Sequence, residues 1–420
     1  MRVVIIGAGM GGLTLAQALR GEGIDVVVHE RDQTVESTGG YRLHLDERAC
    51  RALRRRLAPD LYQALLASSA GSRSFTRFAV TDHRMRLLFQ ESRDGATDTL
   101  MIGRIPLRRL LAHGLGEALR LGSEFTGYRA NPGGTLTVSF ADGRTETADL
   151  LVGADGVGSR VAAALAGRPT SAPVGVSGIA ARTPLSADTR PLVPALLAQG
   201  PALAFGPGGT GLFLSLHDPG AGSMVDPAAC ARVKPIIEPP ALVWGLMAPD
   251  GIYPGRPREL AGAGLIRLTD GLLRGWSAPV RALVRAADPA TAAFFGFHAA
   301  TADTDLTPWP AGAVTALGDA VHAMPPTGGM AAATAIRDAD ILAQELIQVR
   351  EGTSTIPLAV RRFQTRMAGY APEAVRTSLR PLGWMNLLAT PVGTRAARLG
   401  LPVLASAARL GRTLAGARGA

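Results

Sequence analysis

Residues 3 to 30 hold the feature that most restricts what this chain can become. Val3-Val4-Ile5-Ile6 is wholly apolar, the pattern of a parallel strand buried on both faces. Gly7-Ala8-Gly9-Met10-Gly11-Gly12 follows, a G-x-G-x-x-G, and Leu13, Ala16 and Leu19 then recur at helical spacing. Beyond Gly21 and Gly23, residues 24–30 read as a second strand ending in the acid Glu30. In such a unit Gly7 permits the tight turn, Gly9 lets the backbone approach a pyrophosphate, and Gly12 lets helix and strand pack closely. The helix N-terminus offers that pyrophosphate free N–H groups and partial positive charge. Glu30 can accept from a ribose diol and repel a 2′-phosphate. The pattern predicts a bound dinucleotide and leaves NAD and FAD both open.

The chain has 420 residues, room for two domains or one elaborated one, and 47% are hydrophobic, enough for a large core. The net charge of +10 is almost all arginine, with Lys234 the only lysine. The arginines are scattered apart from Arg54-Arg55-Arg56, and no basic motif interleaved with aromatics marks a nucleic-acid surface. A basic surface does favour an anionic cosubstrate such as NAD(P)H. Cys50 and Cys230 stand in no metal or redox spacing. A first strand at residue 3 leaves no room for a signal peptide, and no apolar stretch is long enough to span a bilayer. The expectation is a cytoplasmic protein with no metal, no nucleic-acid partner and no stable membrane insertion.

Further along, Gly39-Gly40-Tyr41-Arg42-Leu43-His44-Leu45 suggests a bend into a short strand, and Asp46 can cap a basic helix reaching about Leu57. Arg42 and His44 follow the ribose-type acid closely enough to be candidates for cofactor or substrate contact. Residues 73–90 read as a hairpin around Thr81-Asp82-His83, and Arg104 precedes a helix carrying Ile105, Leu107, Leu110, Leu111 and Leu115. A second hairpin, residues 136–148, leads into Leu150-Leu151-Val152-Gly153-Ala154-Asp155-Gly156, a buried strand ending in a glycine-flanked aspartate. From Pro173 to about Ala300, short alternating strands replace the strand–helix alternation, with Phe213, Ser215 and His217 sharing one face and Phe294 to His298 forming another strand. They predict an antiparallel sheet over the cofactor, with Phe213, His217 and His298 as candidate pocket residues. A third strand ends in Gly318-Asp319, stiffened by Pro325-Pro326 and followed by a helix from about Gly329 to Gln348. The dipole of that helix suits an anionic group at its N-terminus. After Tyr370 the chain is apolar and arginine-rich, with breaks expected at Pro381, Pro391 and Pro402. It reads as terminal helices packed on the body or a partner subunit, or as a basic amphipathic membrane contact.

Three stretches now stand in order: Gly7–Gly12 with Glu30, Gly153–Arg160, and Gly318–Pro326. Together they resemble the group A flavoprotein monooxygenases, the para-hydroxybenzoate hydroxylase-like family that includes polyketide hydroxylases and tetracycline-modifying enzymes. The resemblance covers about residues 1–370 and selects FAD over NAD. By position it implies Gly7, Gly9 and Gly12 at the FAD pyrophosphate, Glu30 at the adenosine ribose and Arg31 beside the adenine. It implies Arg104 in contact with the cofactor and Asp155 in FAD and NAD(P)H binding. It places Asp319 on the ribityl chain, with Pro325 and Gly329 bordering the isoalloxazine. Ala331 and Ala333 stand where the family usually has glycine and asparagine, and Ala162 where it has arginine. Alanine there is expected to tighten the loop after the prolines, since it is costly in a left-handed conformation.

The fold expected is α/β. A Rossmann-type FAD-binding domain (residues 1–72, 96–172 and 300–380) carries an inserted antiparallel-sheet substrate domain (73–95 and 173–299) and a C-terminal helical tail (381–420). The resemblance implies reduction of FAD by NAD(P)H, reaction with O2 to a C4a-hydroperoxyflavin, and hydroxylation or epoxidation of an aromatic or polyketide-like small molecule, by a monomer or homodimer. A flavin oxidase or dehydrogenase, or a non-redox protein with structural FAD that guides a cyclisation or binds a ligand, is the alternative.

Overall fold

A computed structural model describes residues 1–39, 41–70, 76–92, 99–219, 225–388 and 392. The apolar strands predicted from the sequence assemble into a five-stranded, all-parallel sheet. Its order is Val314–Ala316, Leu150–Gly153, Arg2–Ile6, Asp25–His29, Leu119–Arg120. Strand Arg2–Ile6 sits at its centre and is covered twice, as its unbroken apolar run requires. Val3 and Ile5 face helices Met10–Gly21 and Ala331–Arg350 through Leu13 and Ile336, with Leu317 in the same cluster. Val4 and Ile6 face a three-stranded antiparallel sheet, Phe125–Ala130, Leu136–Phe140 and Thr145–Ala148, through Val138 and Phe140. The expected hairpin at 136–148 thus supplies the middle strand and one edge of this unit.

A second sheet has seven strands, in the order Ala293–Ala299, Ala172–Pro184, Ala241–Pro249, Gly211–His217, Ala202–Phe205, Arg77–Asp82, Leu87–Ser92. It departs from the expected all-antiparallel arrangement at one pair, since Ala202–Phe205 runs parallel to Arg77–Asp82. These two strands are far apart in sequence, so no tight turn dictates their relative direction. The first expected hairpin is present as Arg77–Asp82 and Leu87–Ser92, with its residues 73–75 outside the described residues.

Two helices the sequence reading missed, Gly262–Leu272 and Ala278–Arg285, cover one face of this sheet. Leu265, Val280 and Leu283 pack there against Leu212, Leu214, Trp244 and Leu246. Three glycines in the first of them (Gly262, Gly264, Gly271) hide its apolar stripe, and Gly262 is fixed by packing, because a Cβ there would run into the Pro289 carbonyl. The opposite face carries Leu203, Phe213, Val243, Met247 and Phe295, which the strand register aligns.

Asp46 caps helix Glu47–Arg56 as expected, its Oδ1 accepting from the Ala49 N–H at 2.9 Å. Helix Ala371–Leu388 runs through Pro381 instead of breaking there. The Thr327 hydroxyl donates to the Ser378 carbonyl in the turn before the proline, and Met385 beyond it is buried against Phe205 and Met247. Side-chain packing past the proline offsets the lost backbone bond. The expected breaks at Pro391 and Pro402, and the tail beyond, lie outside the described residues.

Candidate active site

A cavity of about 860 Å³ lies between the C-terminal ends of the parallel strands and the face of the seven-stranded sheet opposite helices Gly262–Leu272 and Ala278–Arg285. The first loop forms its floor, and its three fingerprint glycines have different duties. Gly7 has φ +105°, and a Cβ there would collide with the Ala154 carbonyl. A Cβ on Gly12 would strike the Gly7 carbonyl. Both therefore close strand on strand and helix on strand. Gly9 is extended, with φ −78° and ψ −175°, and a Cβ on it would meet nothing nearer than the Ala154 carbonyl at 4.0 Å. Its open side is the cavity, and it stands as N-cap of the twelve-residue helix Met10–Gly21.

Glu30 is buried at the end of the second strand, where Oε2 accepts from the Ala8 N–H and from Arg108 Nη2, each at 2.9 Å. Oε1 accepts from the Asp32 N–H at 3.0 Å and keeps one acceptor position. Arg108, buried and also donating to the Ala8 carbonyl at 2.8 Å, is a site residue the sequence reading missed. Its signal was its place one helical turn after Arg104. Because Arg108 neutralises Glu30, repulsion of a 2′-phosphate by that acid is weaker than expected. Arg31 lies at the rim with its side chain 80% exposed, and the Arg104 guanidinium sits 5.0 Å from the Tyr41 ring centroid.

Asp155 lies in the cavity wall, yet its carboxylate is turned onto the short helix Arg160–Ala166. It accepts from the Ser159 hydroxyl, the Arg160 N–H at 2.8 Å and the Val161 N–H at 3.3 Å, while burial raises its carboxyl above the usual range. Asp319 is the contrasting case. Its Oδ1 is shut off from solvent with no hydrogen-bond partner, and burial pushes its carboxyl up, opposed by His322 and Arg104. Behind it, Asp338 Oδ2 accepts from the Gly318 N–H at 2.8 Å and lies 2.6 Å from His322 Nε2, and Oδ1 accepts from the Tyr370 hydroxyl. Burial alone would lower the His322 pKa, but the Asp338 carboxylate raises it overall. This network locks the turn that presents Asp319.

Pro326, Thr327, Gly328 and Gly329 line the cavity, and Pro325 stands just outside the lining. The left-handed residue is Gly329, with φ +62°, whereas Ala331 already opens helix Ala331–Arg350 and Ala333 is buried within it. Alanine at 331 and 333 therefore carries none of the left-handed strain expected of it. Arg42, His44, Phe213 and His298 all line the cavity, while His217 stands behind Arg42. Phe295 and Phe297 stack at 5.6 Å beside them. Among the described residues no group of three potential metal ligands occurs, and no helix is long and apolar enough to cross a membrane. An orphaned carboxylate oxygen, an open glycine at a helix N-terminus and a neutralised acid at the second strand form a donor set that fits FAD.

The profile described as FAD binding domain matches residues 1–210 and 280–358. The chain belongs to the FAD-binding domain family. Among curated relatives, the dual O-methyltransferase/FAD-dependent monooxygenase CTB3 of Cercospora beticola is 28% identical over 418 residues, covering 92% of this chain and 47% of its own length. The chain thus spans about half the length of that relative. The aurachin C monooxygenase/isomerase of Stigmatella aurantiaca is 28% identical, with 95% of this chain and 94% of the relative covered. A crystal structure from Photorhabdus luminescens subsp. laumondii, described only as an FAD-containing monooxygenase, superposes with a TM-score of 0.77 at 29% identity, covering 91% of this chain and 97% of that one.

Proposed function

We propose that this chain is an FAD monooxygenase that uses NAD(P)H and O2 to hydroxylate or epoxidise an aromatic or polyketide-like small molecule. The observation that carries this reading is a continuous cavity joining the dinucleotide loop to an aromatic wall. When bound, FAD supplies the redox and oxygen-transfer chemistry. In this reading the N–H groups after Gly9 take its pyrophosphate, Glu30 Oε1 its ribose, and Asp319 Oδ1 a ribityl hydroxyl. Arg31 borders the adenine and Arg104 the phosphates. Gly329, backed by Pro325 and Pro326, abuts the ring, where helix Ala331–Arg350 favours negative charge. Asp155 acts by shaping the wall, since its oxygens are occupied. Phe213, Phe295, Val243 and Met247 exclude water from the substrate half. The reading further takes the site to be metal-free and the protein to be a cytoplasmic monomer or homodimer. Purified protein is expected to be yellow and to consume NADH or NADPH faster when an accepted aromatic is added. A colourless protein that cannot be reconstituted with FAD overturns the assignment.

A further inference from the structure

Strand Arg42–Leu45 puts Arg42 and His44 on one face. Arg42 Nη2 donates to the Met101 carbonyl at 2.7 Å, and Nη1 donates to His217 Nδ1. Its Nε is shut off from solvent with no partner. Neither partner bears charge. Burial, with the arginine beside it, pulls the His217 pKa down to about 4, so the ring is neutral near pH 7. His217 Nε2 lies 3.0 Å from the Glu238 carbonyl, which fixes the proton on Nε2 and leaves Nδ1 to accept from Arg42. The nearby Glu238 carboxylate is claimed by Arg182. Among the described residues no carboxylate lies within ion-pair distance of Arg42, and this cluster of two arginines, one glutamate and one neutral histidine keeps one net positive charge. Burial lowers the Arg42 pKa only to about 10, so the guanidinium stays charged. A desolvated charge is costly unless paired, and the sheet wall of this half of the cavity carries Phe213, Val243, Met247, Phe295 and Phe297, with Arg258 and His298 also in the lining.

We propose that Arg42 is the subsite for an anionic oxygen of the substrate, with His217 as its positioning residue, so that the substrates are acidic aromatic or enolic compounds bound as phenolate, enolate or carboxylate. The proposal rests on the reading that this half of the cavity takes an aromatic substrate beside FAD.

The test titrates oxidised, FAD-loaded protein with 1-hydroxy-2-naphthoate and with its neutral isostere 1-hydroxy-2-naphthamide, following the flavin absorbance. Wild type is expected to prefer the acid by about ten- to a hundredfold, the range of charge-assisted hydrogen bonds. Arg42→Met is expected to erase that preference, Arg42→Lys to keep part of it, and His217→Phe to reduce it, all with unchanged FAD content and a cooperative thermal unfolding transition. Equal affinity for the two probes, no binding of either at millimolar concentration, or a preference that survives in Arg42→Met overturns the proposal. So does loss of the preference on Arg258→Met instead, Arg258 being a second arginine of the lining. If Arg42→Met raises the KM for NADPH tenfold and leaves the probe ratio intact, the anion belongs to the nucleotide and the proposal is likewise overturned. The titration uses neither NAD(P)H nor O2, so failure of the monooxygenase reading leaves it standing, and its own failure leaves that reading untouched.

Discussion

Replacing Gly9 by valine separates cofactor binding from folding. In the extended conformation that Gly9 adopts, a branched side chain is unstrained, and its Cβ would meet only the Ala154 carbonyl at 4.0 Å. The folding cost is confined to the poorer N-cap, about 1 kcal/mol. The isopropyl group instead fills the space into which the helix N-terminus opens. If two N–H bonds to a charged pyrophosphate are lost, at about 1.5–3 kcal/mol each, FAD affinity falls by about 10²- to 10⁴-fold. Gly12→Ala provides the opposite control, because its Cβ would strike the Gly7 carbonyl, and overpacking against backbone costs about 1–3 kcal/mol or more. Calorimetric titration of apoprotein with FAD, with urea unfolding of the same samples, reads both effects. Wild-type FAD affinity in Gly9→Val, or an apoprotein of that variant as unstable as Gly12→Ala, would refute the reasoning.

Three further outcomes follow from the buried charges. Arg108→Met leaves the Glu30 carboxylate buried without its cation, which is expected to cost about 3–5 kcal/mol in urea unfolding and to weaken FAD binding; a shift under 1 kcal/mol contradicts this. Asp338→Ala strips His322, Tyr370 and the Gly318 N–H of one shared acceptor, so a loss of similar size, about 3–5 kcal/mol, is expected, with near-wild-type stability as the contrary result. His217 is held at about 4 against an ordinary 6.5, so its contribution is present above pH 6.5 and is lost as pH falls toward 4. The stability difference between wild type and His217→Gln is therefore expected to shrink by about 3 kcal/mol between pH 7 and pH 4 in urea titrations, and a pH-independent difference contradicts it.

Much of this was legible in the chain because its signals are local. The run Val3–Ile6, the glycines that follow and Asp46 ahead of its helix each specify their own conformation, and the structure realises them. What stayed hidden depends on partners distant in sequence. Arg108 is an ordinary helix arginine until folding brings it to Glu30 and Ala8, 78 and 100 residues away. Asp155 and Asp319 look alike in sequence, both at strand ends beside glycine, yet one is spent capping a helix and the other keeps an orphaned oxygen. Arg42 was legible as a candidate contact residue, but its unpaired charge shows only once His217 of the second sheet and Glu238 of the loop before strand Ala241–Pro249 arrive beside it. Helix Gly262–Leu272 was masked by glycines whose reason is close packing, as at Gly262 against Pro289.

The proposal that this cavity transfers oxygen to an organic substrate is tested most directly by oxygen-isotope labelling. FAD-loaded protein would be reduced anaerobically with NADH or NADPH in the presence of an accepted acidic aromatic, then mixed with ¹⁸O₂, and the product mass measured. Bleaching of the flavin and a product carrying one ¹⁸O atom are expected. Bleaching followed by peroxide alone would make the protein an oxidase. Substrate conversion without bleaching and without O2 would show the flavin to be a scaffold and contradict the claim.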